Sequence, residues 1–295
     1  MGGAGLKAAA DHAGAAYATS LLASHSMVRQ LLHLEEGELP PLPLALATSL
    51  SEKMGEEVTA EYLSGFNQHT ASLKIDQRLQ SLLSETLTRE GDVREIARFA
   101  SVSLPDSHAG DWLPAVPSAS LGLLLKPPEF VAALRYRLGH PVYSREGPCP
   151  PCGQRSDRLG DHSLNCAWHG ERIARHNWLR EQLYNAAVAA SLGPTREGRA
   201  LLPGEGSKPA DVFLPHWAGG KDAALDVTVV NPLQEALVQG AATTPGHALT
   251  VAHNRKLDKS WEACNLQGIS FLPVAVESLG GWHKCAISTM LSHNC

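Results

Sequence analysis

The chain has 295 residues, 43% hydrophobic and 19% charged, with a net charge of −5. That is an ordinary globular make-up with room for about two domains, and Gly (26) and Pro (19) are too few for a low-complexity chain. There is no run of about 18 apolar residues, so no membrane span is expected. No basic region followed by an apolar stretch opens the chain, so no secretory leader is predicted and a nuclear or cytoplasmic location is expected. The charge is uneven: residues 1–147 carry 17 acids against 12 Lys/Arg, and residues 148–295 carry 13 of each. Eight Arg against four acids over 135–180 make a local basic excess.

Helix is predicted over 4–34, where Leu6, Ala9, Ala10, Ala13, Ala16, Tyr17 and Leu21 recur at three- and four-residue spacing. Pro40, Pro41 and Pro43 end it. Further helices are predicted near 54–66, 68–88 and 91–101, the last opened by Asp92 with Glu95 three residues on. Five prolines make 103–128 a connection, and a short helix follows over 129–138. A long helix is predicted over 167–192, carrying Ile173, Leu179 and Leu183. After it the period turns extended. Val212-Phe213-Leu214 and Ala223–Val230 read as strands joined at Gly219-Gly220, then a helix over 247–266 and a third strand over 269–276. The fold class expected is α+β: a helical N-terminal region, a metal knuckle and a small α/β domain.

Two groups of residues carry chemistry. Cys149, Cys152, His162 and Cys166 stand in a Cys-x2-Cys-x9-His-x3-Cys pattern. Four soft or borderline donors in so short a window suit a structural, tetrahedral Zn²⁺. His169 and His176 are alternative fourth ligands. The second group is acidic. Asp226 interrupts the apolar run 223–230, and a carboxylate in a core strand is costly unless it is paired or metal-bound. Asp211 opens the preceding strand; alternatively it caps a turn. A hairpin brings the two together, and such a pair can share Mg²⁺ or Mn²⁺. Glu197 and Lys256 are candidates to complete the site, with Lys259 a substitute for Lys256; taken alone, each reads as a surface residue.

The knuckle, a basic helix, Lys208-Pro209-Ala210-Asp211 and then Asp226 together resemble the restriction-like endonuclease of early-branching non-LTR retrotransposons, a branch of the PD-(D/E)xK nucleases. Gly2-Gly3-Ala4-Gly5-Leu6, Trp112-Leu113-Pro114, Glu129-Phe130 and Arg175-His176-Asn177 resemble other parts of such reading frames. The resemblance implies three regions: 1–146 similar to a post-polymerase thumb and linker, 147–170 a zinc knuckle, and 171–295 a restriction-like domain. It implies a metal-dependent nuclease acting on DNA, with the element's RNA as a second partner. In that role Asp211 and Asp226 hold Mg²⁺ or Mn²⁺, Glu197 is the upstream acid, and Arg172, Arg175, Arg180 and Lys208 contact nucleic acid. The family's lysine two residues after the second acid is Thr228 here, and Lys256 on the next helix takes its place. The chain contains no Asp-Asp pair, so no reverse-transcriptase core is expected.

Overall fold

A computed structural model describes residues 8–33, 40–120, 122–166, 168, 170–197 and 210–291. The chain divides into two compact units, one ending at Gly91 and the other starting at Asp92.

The first unit is helical: α1 (Ala9–Leu31), α2 (Leu44–Met54), α3 (Ala60–Ser64) and α4 (Gln68–Glu90). The small residues of α1 let it sit close to its neighbours, so Ala15, Ala18 and Leu22 bury against Leu50, Met54, Leu63 and Ile75. Helix α2 ends at Met54, where the predicted 54–66 begins, and only α3 lies within that span. Helix α2 starts directly after Pro43, whose ring suits the edge of a helix, and Gly55 stops it in the left-handed conformation (φ 74°). Asn67 and Thr70 cap α4 reciprocally.

The second unit begins with α5 (Val93–Val102), capped by Asp92 as its spacing with Glu95 predicts, and α6 (Pro127–Arg137). The two-residue strands β1 (Gly147–Pro148) and β2 (Arg155–Ser156) pair as a hairpin that carries Cys149 and Cys152, followed by α7 (Asp161–Asn165) and α8 (Glu171–Ala189). A four-stranded sheet is built from β3 (Thr195–Arg196), β4 (Val212–Ala218), β5 (Lys221–Val230) and β6 (Ser270–Glu277), in that order. β3, β4 and β5 are antiparallel, and β6 joins β5 in parallel. The crossover between β5 and β6 carries α9 (Glu235–Thr243) and α10 (His247–Leu266), and α11 (Lys284–Leu291) closes the described chain. Glycines 219 and 220 make the β4–β5 turn, both at positive φ (58° and 76°).

β5 is central, and its middle is buried on both faces, which accounts for its nearly continuous apolar run. Leu225 and Val227 face Leu179 and Leu183 of α8. Ala224 and Val230 belong to the opposite side, with Cys264 and with Ala248, Leu249 and Ala252 of α10. Residues 92–137 pack into the same unit: Ala97, Val102 and Tyr136 share a core with Leu233, Val238 and Leu279. The protein is thus of the mixed α+β kind, with a small mixed sheet. No described helix is long and apolar enough to cross a membrane.

Candidate functional site

Register places the two acids side by side. Val212 pairs with Leu225, and the Asp211 N–H donates to the Leu225 carbonyl at 2.8 Å, so Asp211 and Asp226 stand across the strand boundary. Like charges opposed in this way repel. The surroundings offset this differently for each carboxylate.

Asp226 lies on the α10 side, 2.7 Å from Lys256 Nζ, with only 12% of its side chain exposed. Burial pushes its carboxyl up to about 6; the Asp211 charge adds to the rise and Lys256 pulls against it. Asp211 goes the other way. Burial would raise it, but His176, the Val227 N–H and the neighbouring Asp226 together hold it below the usual carboxylate range. His176 Nε2 on α8 is 3.0 Å from Asp211 Oδ1, and the Val227 N–H donates to Oδ2 at 2.7 Å. The pair therefore splits into an acid held charged and an acid that gives up its proton only near pH 6, the usual outcome for adjacent carboxylates.

Beside the pair, between α8 and α10, is a cleft of about 650 Å³ lined by His176, Lys256, Arg172, Arg175 and Arg255. Arg172 is exposed, as is Arg255. Arg175 is half-buried and donates to the Leu164 carbonyl at 2.5 Å. Arg180 is engaged by acids: Nη1 is 2.9 Å from Glu197 and Nη2 is 2.9 Å from Glu181. Glu197 joins the site through its backbone, its N–H donating to the Asp211 carbonyl at 3.0 Å, while its carboxylate takes Arg180. Lys208 lies outside the described residues, as does His169. Lys259 is exposed and Lys256 faces the acids, so the structure distinguishes the two lysines.

The four knuckle residues converge. One ligand atom from each of Cys149, Cys152, His162 and Cys166 lies within 4.8 Å of all the others. Tetrahedral zinc, with Zn–S of about 2.3 Å and Zn–N of about 2.0 Å, needs S···S of about 3.8 Å and S···N of about 3.6 Å. The Cys149 and Cys166 sulfurs are 4.0 Å apart, and Cys152 Sγ is 3.3 Å from His162 Nε2, so the donor set fits a zinc ion. The backbone builds the cup: the Gly153 N–H donates to the Cys149 carbonyl at 2.8 Å with Gly153 at φ 71°, and the Cys149 N–H donates to the Gln154 carbonyl at 2.7 Å. Asp157 caps α7 by accepting from the N–H groups of Asp161 and His162 (3.1 and 2.7 Å), which orients the histidine. The knuckle is tied to α5 by Asp161, which is 3% exposed and pairs with Arg94 and more distantly with Arg98 at 3.9 Å. His176 is taken by Asp211 and is not a fourth knuckle ligand.

Sequence reasoning missed the part played by His176 at the acids and by Arg255 in the cleft. The local signal for both is helical: 172, 175, 176 and 179 share one face of α8, and Arg255 adjoins Lys256 on α10. No protein-family model, curated protein or solved structure matches the chain.

Proposed function

We propose that the second unit is a metal-dependent DNA endonuclease of the restriction-like type found in non-LTR retrotransposons, with the Cys149/Cys152/His162/Cys166 knuckle holding a structural zinc. The observation that carries this reading is the meeting of Asp211, Asp226 and Lys256 at a cleft lined by Arg172, Arg175 and Arg255. Two acids from adjacent strands, one kept charged, offer hard oxygen donors of the kind Mg²⁺ or Mn²⁺ takes. When bound there, such an ion polarises a phosphodiester and acidifies water.

The chain's own groups supply the rest. Arg172 and Arg255 bind the phosphates flanking the scissile bond. Lys256 Nζ stabilises the negative charge that grows on phosphorus-bound oxygens as water attacks and the P–O bond to the leaving strand breaks. His176 holds Asp211 in its charged form and fixes the direction of one oxygen. Glu197 acts from behind the site, bracing the Asp211 backbone and restraining Arg180.

The test is nicking of supercoiled plasmid in Mg²⁺ or Mn²⁺ by the wild-type chain beside Asp211→Ala and Asp226→Ala. Nicking lost in both variants supports the reading. If the folded, zinc-loaded wild type does not nick but retains DNA, the second unit is a binding remnant of such a nuclease. Thr228, standing where the family's lysine is expected, favours that second reading.

A further inference from the structure

A second group of metal-ligating side chains lies away from the acids and the knuckle, and the nuclease reading makes no use of it. After β6 the chain turns back on itself: Trp282 bridges Val276, and the His283 N–H donates to the Ala275 carbonyl at 3.0 Å. This sets the His283 side chain on the sheet face covered by α10, where it meets His253. The two rings stack with centroids 4.1 Å apart and planes at 21°. Each histidine is only 8% exposed. Cys285, in the first turn of α11, is exposed, and its N–H lies 3.3 Å from His283 Nδ1, tying the ring to the cysteine's backbone. One nitrogen of each ring and Cys285 Sγ all lie within 4.8 Å of one another.

A stacked pair of neutral imidazoles is also a way to fill a core. Two observations go beyond that. His253 Nδ1 is buried with no hydrogen-bond partner, and a buried polar atom left unpaired is costly. The thiol beside the rings opens the group to solvent, which a core filler does not need.

We propose that His253, His283 and Cys285 form a second metal site, for a zinc-class transition ion, on the α10 side of the sheet. An N₂S donor set selects such ions over Mg²⁺ and Ca²⁺, and three protein ligands leave a fourth position for water. Ring lone pairs lie in the ring planes, so binding rotates one imidazole out of the stack. That rotation, the adjacent Lys284 charge and the smaller ligand count make this site weaker than the knuckle.

The experiment is a Co²⁺ titration of the full chain with the knuckle preloaded with Zn²⁺, followed by absorption. The expected result is one further equivalent of Co²⁺ with a thiolate-to-cobalt band, absent in Cys285→Ala, and an affinity lowered at least tenfold in His253→Gln. Cys285 is exposed, so its alanine variant keeps the fold. Co²⁺ at the aspartates gives no thiolate band and is not mistaken for this site. No new thiolate band overturns the proposal. So does a band of equal size in Cys285→Ala, which assigns the sulfur to another cysteine.

Discussion

Asp226 makes the stability of the second unit depend on pH in a direction opposite to that of most carboxylates. Its carboxyl titrates near 6 in the folded chain against an ordinary 3.8. The folded state therefore holds the proton more tightly than the unfolded state. The stabilisation is fully present below about pH 3.8 and is lost as pH rises through about 6. The whole shift corresponds to about 3 kcal/mol at 1.36 kcal/mol per unit, of which about 1.4 kcal/mol falls between pH 5 and 7.5. Asp226→Asn removes the titration while keeping the shape. Urea unfolding of wild type and variant, zinc-loaded and followed by near-ultraviolet circular dichroism, is expected to diverge by about 1.4 kcal/mol across that window, the variant gaining at the alkaline end. Taking the difference cancels the pH dependence of the knuckle, which both proteins share. Millimolar Mg²⁺ is expected to shrink the divergence, because a cation between the acids favours the charged form. Parallel curves for the two proteins across pH 5–7.5 would refute the reasoning, since they would mean that Asp226 is ionised at no cost.

The lysine assignment predicts that Lys256→Gln lowers plasmid nicking by a factor of about 10²–10³, as loss of a group acting on transition-state charge does, whereas Lys259→Gln, on an exposed residue, leaves it within a few-fold. Arg172→Ala and Arg255→Ala are each expected to reduce the salt slope of DNA binding by about 1, measured by titration at several ionic strengths. Removing zinc with a chelator is expected to raise hydrogen exchange over 147–166 before the sheet responds; simultaneous exchange throughout the second unit would count against a separately held knuckle. Leu214→Ala, at a site 1% exposed in the α8-side core, is expected to cost about 2–5 kcal/mol in urea unfolding with zinc still bound.

The sheet was legible where both faces are buried. Residues 223–230 read as a strand because their run is apolar and β-branched, and Asp226 stood out against it. The helix predicted over 247–266 coincides with α10, and in the structure glycines 246 and 268, both at positive φ, flank it. Helix α9 was missed: it is short, capped without a side-chain bond, and follows Asn231-Pro232, which reads as a turn. Strand β3 is two residues long and exists only because β4 offers it a ladder, which no local pattern announces. The partner of Asp226 was legible as a motif position, but the partner of Asp211 was not. His176 lies 35 residues earlier on another element, and only the packing of α8 against the sheet brings them together.

Helix α7 spans only Asp161–Asn165, yet its residues answer to three different partners. Asp161 grips the arginines of α5, His162 turns to the cysteines, and the Leu164 carbonyl holds Arg175 at the cleft wall, where Asn165 also stands. So short a helix cannot yield at one residue and stay put at the next. Whatever unseats His162 also disturbs the carbonyl that holds Arg175 at the cleft wall. The Cys/His cluster is thereby joined to the cleft through one turn of helix, and on the proposed nuclease reading its zinc fixes where Arg175 stands as well as how the loop folds.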